Sequence, residues 1–459
     1  MMKRTEINTK KILKKALTLA VPIMIQNAIT NLVGMIDNVM VGRLGTEEMT
    51  GVAIVNQLMF VFYLALFGAV SGAGIFTAQF FGKGDTEGVK YTFRFKLLIC
   101  TAICLVGILV FAFLQEPLIN LYLQGESKDI DPAQTLQFGK DYIWIILIGL
   151  LPMAMEQAYS GTLRECGKTT PPMVAGIVAV VLNTALNYLL IFGKLGLPYM
   201  GVAGAAVATT ISRFVQFFLV WGWTMKKRNF LPYMQKVLSG FTIPGKLVRQ
   251  IIKKGAPLML NEMLWAAGMA AMMQCYSGRE IDVVSGMNIA NTMNNIFNVS
   301  YIAFASGIAI VLGQYLGAGK LDEAKWAAPR LIAFSVIMCV FVGMLMALFA
   351  PIFPQAYKTT DSVKQMAGSF ILIAACCMPI CACMNACYFV LRSGGKTIIT
   401  FLFDSCFVWA ISIPLAYILV HNTLLPIALI YLICQLAETL KCVIGIVLVK
   451  RGVWISKMV

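Results

Sequence analysis

The chain has 459 residues, 59% of them hydrophobic and 13% charged, with a mean hydropathy of +0.79 and a formal net charge of +16. Soluble globular chains carry about 25% charged residues, so this composition excludes an ordinary soluble domain and points to an integral membrane protein. The positive charge fits Lys and Arg retained in cytoplasmic loops better than a surface for nucleic acid.

The apolar stretches reach 20 or more residues, which suits transmembrane helices; barrel strands would be alternating segments of about 10 residues. The chain opens with Lys3, Arg4, Lys10, Lys11, Lys14 and Lys15, then enters a first span near 16–41 that carries Asn27, Asn31 and Asp37. Such a span does not read as a cleaved signal, and the first helix is expected to stay. Asp37 is its costly residue: a centrally placed Asp is worth about +2.5 to +3.5 kcal/mol against insertion, which makes it a functional candidate. The plainer alternative is an acid near the helix end that reaches interfacial water.

Further spans are expected near 50–80, 93–114, 136–158, 172–193 and 199–225. The main loop among them, between 114 and 136, holds Glu116, Glu126, Asp129 and Asp131. Glu156 stands two turns before Arg164, and Arg213 lies inside the sixth span. Asn183 and Asn187 are four residues apart, hence on one helix face, at a depth that overlaps Asp37. With Asp37 they would offer carboxylate and amide oxygens to a hard cation such as Na⁺, or a relay for a proton. An interhelical hydrogen-bond ladder is the alternative.

A basic linker at 226–250 leads to spans near 251–275, 283–316, 326–350, 368–391, 397–420 and 423–449. Glu262, about 11 residues into the seventh span, falls near the midplane at about 1.5 Å per residue. Asp404 lies about seven residues into the eleventh, where it is either a second acid or is solvated at the inner mouth, again by the helical rise. Met259, Met263, Met269, Met272, Met273, Met287 and Met293 either line an adaptable pocket for flat ligands or pack the core. Glu438 and Lys441, three apart, are expected to pair. The 13 Cys lie mostly in apolar runs without zinc spacing, as small hydrophobes.

With the N-terminus inside, 29 of the 37 Lys and Arg fall on the inner side and 7 on the outer. Both termini are therefore expected in the cytoplasm, in a multi-pass protein of the inner or plasma membrane.

A shift of 235 residues aligns Pro22–Lys90 with Pro257–Lys325 without a gap, and thirteen of 69 positions match. They include Pro22/Pro257, Gly51/Gly286, Asn56/Asn291, Gln79/Gln314, Gly82/Gly317 and Gly84/Gly319. Leu-Arg-x-x-Gly-Lys-Thr occurs at 163–169 and again at 391–397. The expected fold is all-α, twelve transmembrane helices in two six-helix lobes, 1–225 and 251–459, related by a pseudo-two-fold axis along the membrane normal. That is transporter architecture. No Walker A loop, G-x-S-x-G or H-E-x-x-H is present in the sequence, so an ATP-driven pump or an enzyme is not expected, and an ion gradient or the membrane potential is left as energy source.

The blocks D-N-V-M-V-G-R-L-G (37–45), P-L-M-L-N-E-M-L-W-A (257–266), G-Q-Y-L-G-A-G (313–319), D-S-C-F-V-W (404–409) and the twin L-R-x-x-G-K-T resemble the multidrug and toxic compound extrusion transporters over nearly the whole chain. The resemblance implies an antiporter that exports amphipathic, cationic organic compounds through a cleft between two lobes in exchange for Na⁺ or H⁺. Asp37 matches the family's first-helix acid, and Asn183 and Asn187 its fifth-helix pair, although an Asp often replaces the second Asn. Glu262 resembles the seventh-helix acid, with Asp404, Met259 and Met263 on the substrate side. No cofactor and no metal beyond a transported Na⁺ at Asp37, Asn183 and Asn187 are expected. The partners expected are a small organic substrate and the lipid bilayer, with no nucleic acid, for a monomer. The alternative is a lipid-linked oligosaccharide flippase of the same superfamily, which would want several embedded basic residues where Arg213 is the clearest.

Overall fold

The computed structural model describes residues 9–123, 131–235, 237, 240, 242–279, 282–357 and 359–459. Lys3, Arg4, Glu126 and Asp129 lie outside the described residues. All described secondary structure is helical. The first lobe of the sequence gives α1 (Thr9–Gly42), α2 (Thr46–Lys83), α3 (Thr86–Asn120), α4 (Pro132–Ile148), α5 (Leu150–Glu165), α6 (Thr170–Phe192) and α7 (Gly201–Lys226). After two short 3₁₀ turns in the linker come α8 (Gly245–Ser277), α9 (Asp282–Gly317), α10 (Leu321–Phe349), α11 (Asp361–Ser393), α12 (Thr397–Phe401), α13 (Ile413–Asn422) and α14 (Ile427–Lys450).

Among the described residues, ten helices are long and apolar enough to cross a membrane, counting α12–α13 as one, and the pair α4–α5 makes an eleventh. The twelfth expected span, α8, has the length, but Asn261 and Glu262 at its centre lower its hydropathy. Spanning helices follow from the solvent: in lipid every backbone N–H and C=O must be satisfied within the segment.

Within the span expected near 136–158 the chain bends by 47° between α4 and α5 at Gly149. Pro152 has no N–H to offer the Ile148 carbonyl. The Thr210 hydroxyl of α7 caps another carbonyl at the bend, that of Ile145, at 3.0 Å. A β-carbon on Gly149 would sit 3.2–3.3 Å from Arg213 and Thr210, so the bend is packed tightly against α7.

The repeated motifs become repeated turns. Gly84 and Gly319 both take left-handed φ (+80° and +75°), one residue past α2 and two past α9. Each donates to the carbonyl three residues back, and the next residue donates five back. Gly167 and Gly395 do the same after α5 and α11, which explains Gly-Lys-Thr: Gly ends one helix and Thr opens the next.

Two compact units emerge. One comprises 25–77 and 86–251; the other comprises the described part of 1–24, 78–85 and 252–459. The first half of α1 and the end of α2 thus belong with the second half of the sequence. Ile12, Ala16, Leu19 and Ala20 enter its core beside Phe304, Ile308 and Leu391. In that unit α2 crosses α9 reciprocally: a β-carbon on Gly82 would clash with the Gln314 carbonyl, and one on Gly317 would clash with the Gln79 carbonyl. Repeat-related residues that exchange the same contact are the mark of a local two-fold relation. In the other unit Arg94 fixes the linker, donating to the Val237 and Thr242 carbonyls at 2.8 and 3.1 Å.

Candidate functional site

Asp37 sits five residues before the end of α1, half-buried, and faces α6. The Asn187 amide donates to its Oδ1 at 2.8 Å. Both asparagines are buried. The Asn183 amide is best satisfied with its nitrogen toward Asp37 Oδ2, at 2.7 Å, and its oxygen toward Thr209 Oγ1 and N at 3.3 and 3.2 Å. The three sequence candidates and Thr209 of α7 therefore form one cluster within one unit. Asn187 Oδ1 is buried without a hydrogen-bond partner. One turn beyond Thr209, Arg213 donates to the Tyr63 hydroxyl and lies over that ring at 5.6 Å.

The second unit holds the other acids. Glu262 is half-buried, within electrostatic reach of Arg392 and Asp404. Its neighbour Asn261 is buried and donates to Asp404 Oδ2 at 3.1 Å and to the Tyr388 hydroxyl at 3.3 Å. Ser405 ties the same asparagine down through its hydroxyl, which reaches Asn261 Oδ1 at 2.7 Å and O at 2.9 Å. Asp404 and Ser405 occupy a π-helical turn, Leu402–Cys406, and a second one covers Val408–Ser412. π-turns inside α-helices concentrate at functional sites.

Lys441 pairs with Glu438, as its spacing suggests, at 2.8 Å. It also approaches Asp404 Oδ1 at 3.4 Å and the Phe407 ring at 5.0 Å, while itself only 2% exposed. Asp404 is thus paired with a buried ammonium. Of the methionines, Met287 and Met293 are buried in the core and Met272 and Met273 pack on it. Met259 is half-buried, and Met263 and Met269 are 40% and 49% exposed.

Elsewhere, Glu156 accepts from Ser160, and Arg164 donates to Gln26 at 2.8 Å. Buried Lys96 pairs with Glu165 and donates to Thr162 at 3.2 Å. Sequence reasoning missed Thr209 as a partner of Asn183, and Asn261 and Lys441 as partners of Asp404. The available signal was polarity inside an apolar run, but their partners are 26 or more residues away.

The MatE family profile matches residues 22–189 and 257–418, segments that start at the repeat-related Pro22 and Pro257. The chain is 27% identical over 433 residues to a probable multidrug resistance protein NorM of Thermotoga maritima, covering 89% of this chain and 86% of that one. It is 26% identical to the multidrug resistance protein PmpM of Pseudomonas aeruginosa, covering 88% and 83%. Its fold matches an outward-facing multidrug resistance MATE family transporter of the MOP superfamily with a TM-score of 0.87 at 18% identity, over 96% of this chain and 95% of that chain. The duplicated halves, the spanning helices and the profile that matches both halves identify the chain as a member of the MatE family of multi-pass membrane transporters, which are transport proteins and not enzymes.

Proposed function

We propose that the chain is a secondary antiporter that exports amphipathic, cationic organic compounds in exchange for Na⁺ or H⁺, with both termini in the cytoplasm. The carrying observation is the cluster of Asp37, Asn183, Asn187 and Thr209, with the Asn187 oxygen buried and unpartnered. An amide offers N–H from one corner and an oxygen from the other. With nitrogens inward, the two asparagines hold the carboxylate when no cation is present. With oxygens inward, the same side chains and the Thr209 hydroxyl offer neutral ligands to a hard cation that the carboxylate attracts. A proton on Asp37 would find its acceptor in the same way, in an amide turned oxygen-inward. Each cycle then alternates loading and release of the coupling cation or proton at this cluster without nucleotide chemistry. The relatives named for multidrug resistance support the cargo class.

Glu262 is the acid proposed to meet the cationic substrate, with Met259 and Met263 on the same helix. Asp404 is the weaker candidate because Lys441 already neutralises it. The test is efflux of a fluorescent organic cation from proteoliposomes under an imposed Na⁺ or pH gradient. Asp37→Asn is expected to lower gradient-driven efflux by at least tenfold with normal insertion. Undiminished, gradient-dependent efflux in that variant would overturn the assignment.

A further inference from the structure

In the unit that contains α8–α14, helices α10 and α14 each pack along α11 but scarcely touch each other. Between them runs a slot of about 560 Å³, lined by Pro329, Ala333 and Ile337 of α10, Pro379 of α11 and the stripe from Thr439 to Lys450 on α14. Thr439 and Lys450, at its two ends, carry the main polar groups of the lining. Eleven residues of helix separate them, roughly 16 Å, which is about half of a 30 Å hydrocarbon core. Ile337 is 56% exposed, and Ala333 and Pro329 are exposed, so the slot opens sideways toward lipid.

Its mouth is basic. Lys450 is exposed there, and Lys325 lies one turn before Pro329 on the same stripe of α10, since 325, 329, 333 and 337 repeat every four residues. Neither lysine has an ion-pair partner among the described residues; the nearby Lys320 takes Glu323 at 3.0 Å. Trp326, beneath the Arg330 guanidinium at 3.7 Å, adds an aromatic of the type that sits at headgroup level. Asp322 lies a turn further out along the helix.

We propose that this slot binds one anionic phospholipid, its phosphate held by Lys450 and Lys325 and one acyl chain lying between α10 and α14. On the orientation proposed above, the lipid comes from the cytoplasmic leaflet. Headgroup and chain contribute separately: a lysine near an anionic headgroup tightens binding about fivefold, and each buried methylene about fourfold.

The experiment is native mass spectrometry of the delipidated full-length protein titrated with phosphatidylglycerol or phosphatidylcholine of matched chains. The wild type is expected to take up one phosphatidylglycerol at least tenfold more tightly than phosphatidylcholine, more tightly with longer chains. Lys325→Gln with Lys450→Gln should erase the headgroup preference and keep the chain-length dependence. Ala333→Phe should fill the slot and lose the adduct; if it does not fold, Ile337→Trp fills the same space. Equal uptake of both lipids by the wild type, or an adduct undiminished in the filled variant, would overturn the proposal. The test is run in detergent and needs neither efflux nor a particular orientation, so it stands apart from the transport reading.

Discussion

A buried ammonium with two carboxylates around it is a residue-scale commitment that sequence spacing half reveals. Glu438 and Lys441 are three apart on α14, so their pairing is legible. Asp404 is 37 residues away on another helix, and its approach to Lys441 depends on how the π-turn at Leu402–Cys406 rotates it toward α14. Removing one member of a buried ion cluster leaves uncompensated charge, so Lys441→Met is expected to destabilise the protein by about 3–5 kcal/mol. Detergent-solubilised thermal unfolding checks this. The double variant with Asp404→Asn should lose less than the sum of the two single variants; strictly additive losses would mean that the two groups do not couple. The same limit explains the Asp37 cluster. The four-residue step puts Asn183 and Asn187 on one face, and embedding marks Asp37 as costly, but Thr209 comes from a neighbouring helix that no local pattern pairs with them.

At the scale of the element, close crossing requires glycine where two helices meet backbone to backbone. Gly317 and Gly82 are matched in the repeat, and each touches the carbonyl of the other helix's glutamine. The Gln79 side chain extends that junction, donating to the Ser393 carbonyl at 3.1 Å and accepting from the Met458 N–H at 2.9 Å. Gly317→Ala is expected to cost roughly 1–3 kcal/mol through overpacking. Gly34→Ala in α1, where no atom lies within 4 Å of the added carbon, should be neutral or stabilising by up to about 1 kcal/mol through helix propensity. Comparing the melting temperatures of the two variants tests whether the crossing or the mere presence of glycine matters. The bend at Gly149 shows the converse: hydropathy over 136–158 reads as one span because hydropathy does not see the tertiary hydrogen bond that Thr210 gives to Ile145.

At the scale of the molecule, the basic residues predict cytoplasmic termini. A fluorescent protein fused after Val459 should fold and fluoresce, whereas a periplasm-dependent reporter at the same place should stay inactive; the reverse pattern would invert the proposed topology. The packing of the C-terminal segment bears on how such a fusion is built. Trp454 is fully buried and donates to the Val449 carbonyl at 3.2 Å. Trp454→Ala is expected to lose about 3–5 kcal/mol, and so the fusion must leave this residue in place.

The sequence by itself determined that the chain is helical and membrane-spanning, because an apolar run in lipid must satisfy its own backbone. It also determined the duplication, because Gly, Pro and Gln recur at matched positions, and the glycines among them are required where turns and close crossings recur. Only the tertiary structure decided which compact unit each segment joins, including the first half of α1 and the end of α2 with the second half of the chain. It alone decided which polar groups meet: Thr209 with Asn183, Asn261 and Lys441 with Asp404. The reason is that helical periodicity fixes neighbours three and four residues apart, whereas contacts between helices depend on crossing, bend and rotation, which are set by the packing of all of them together.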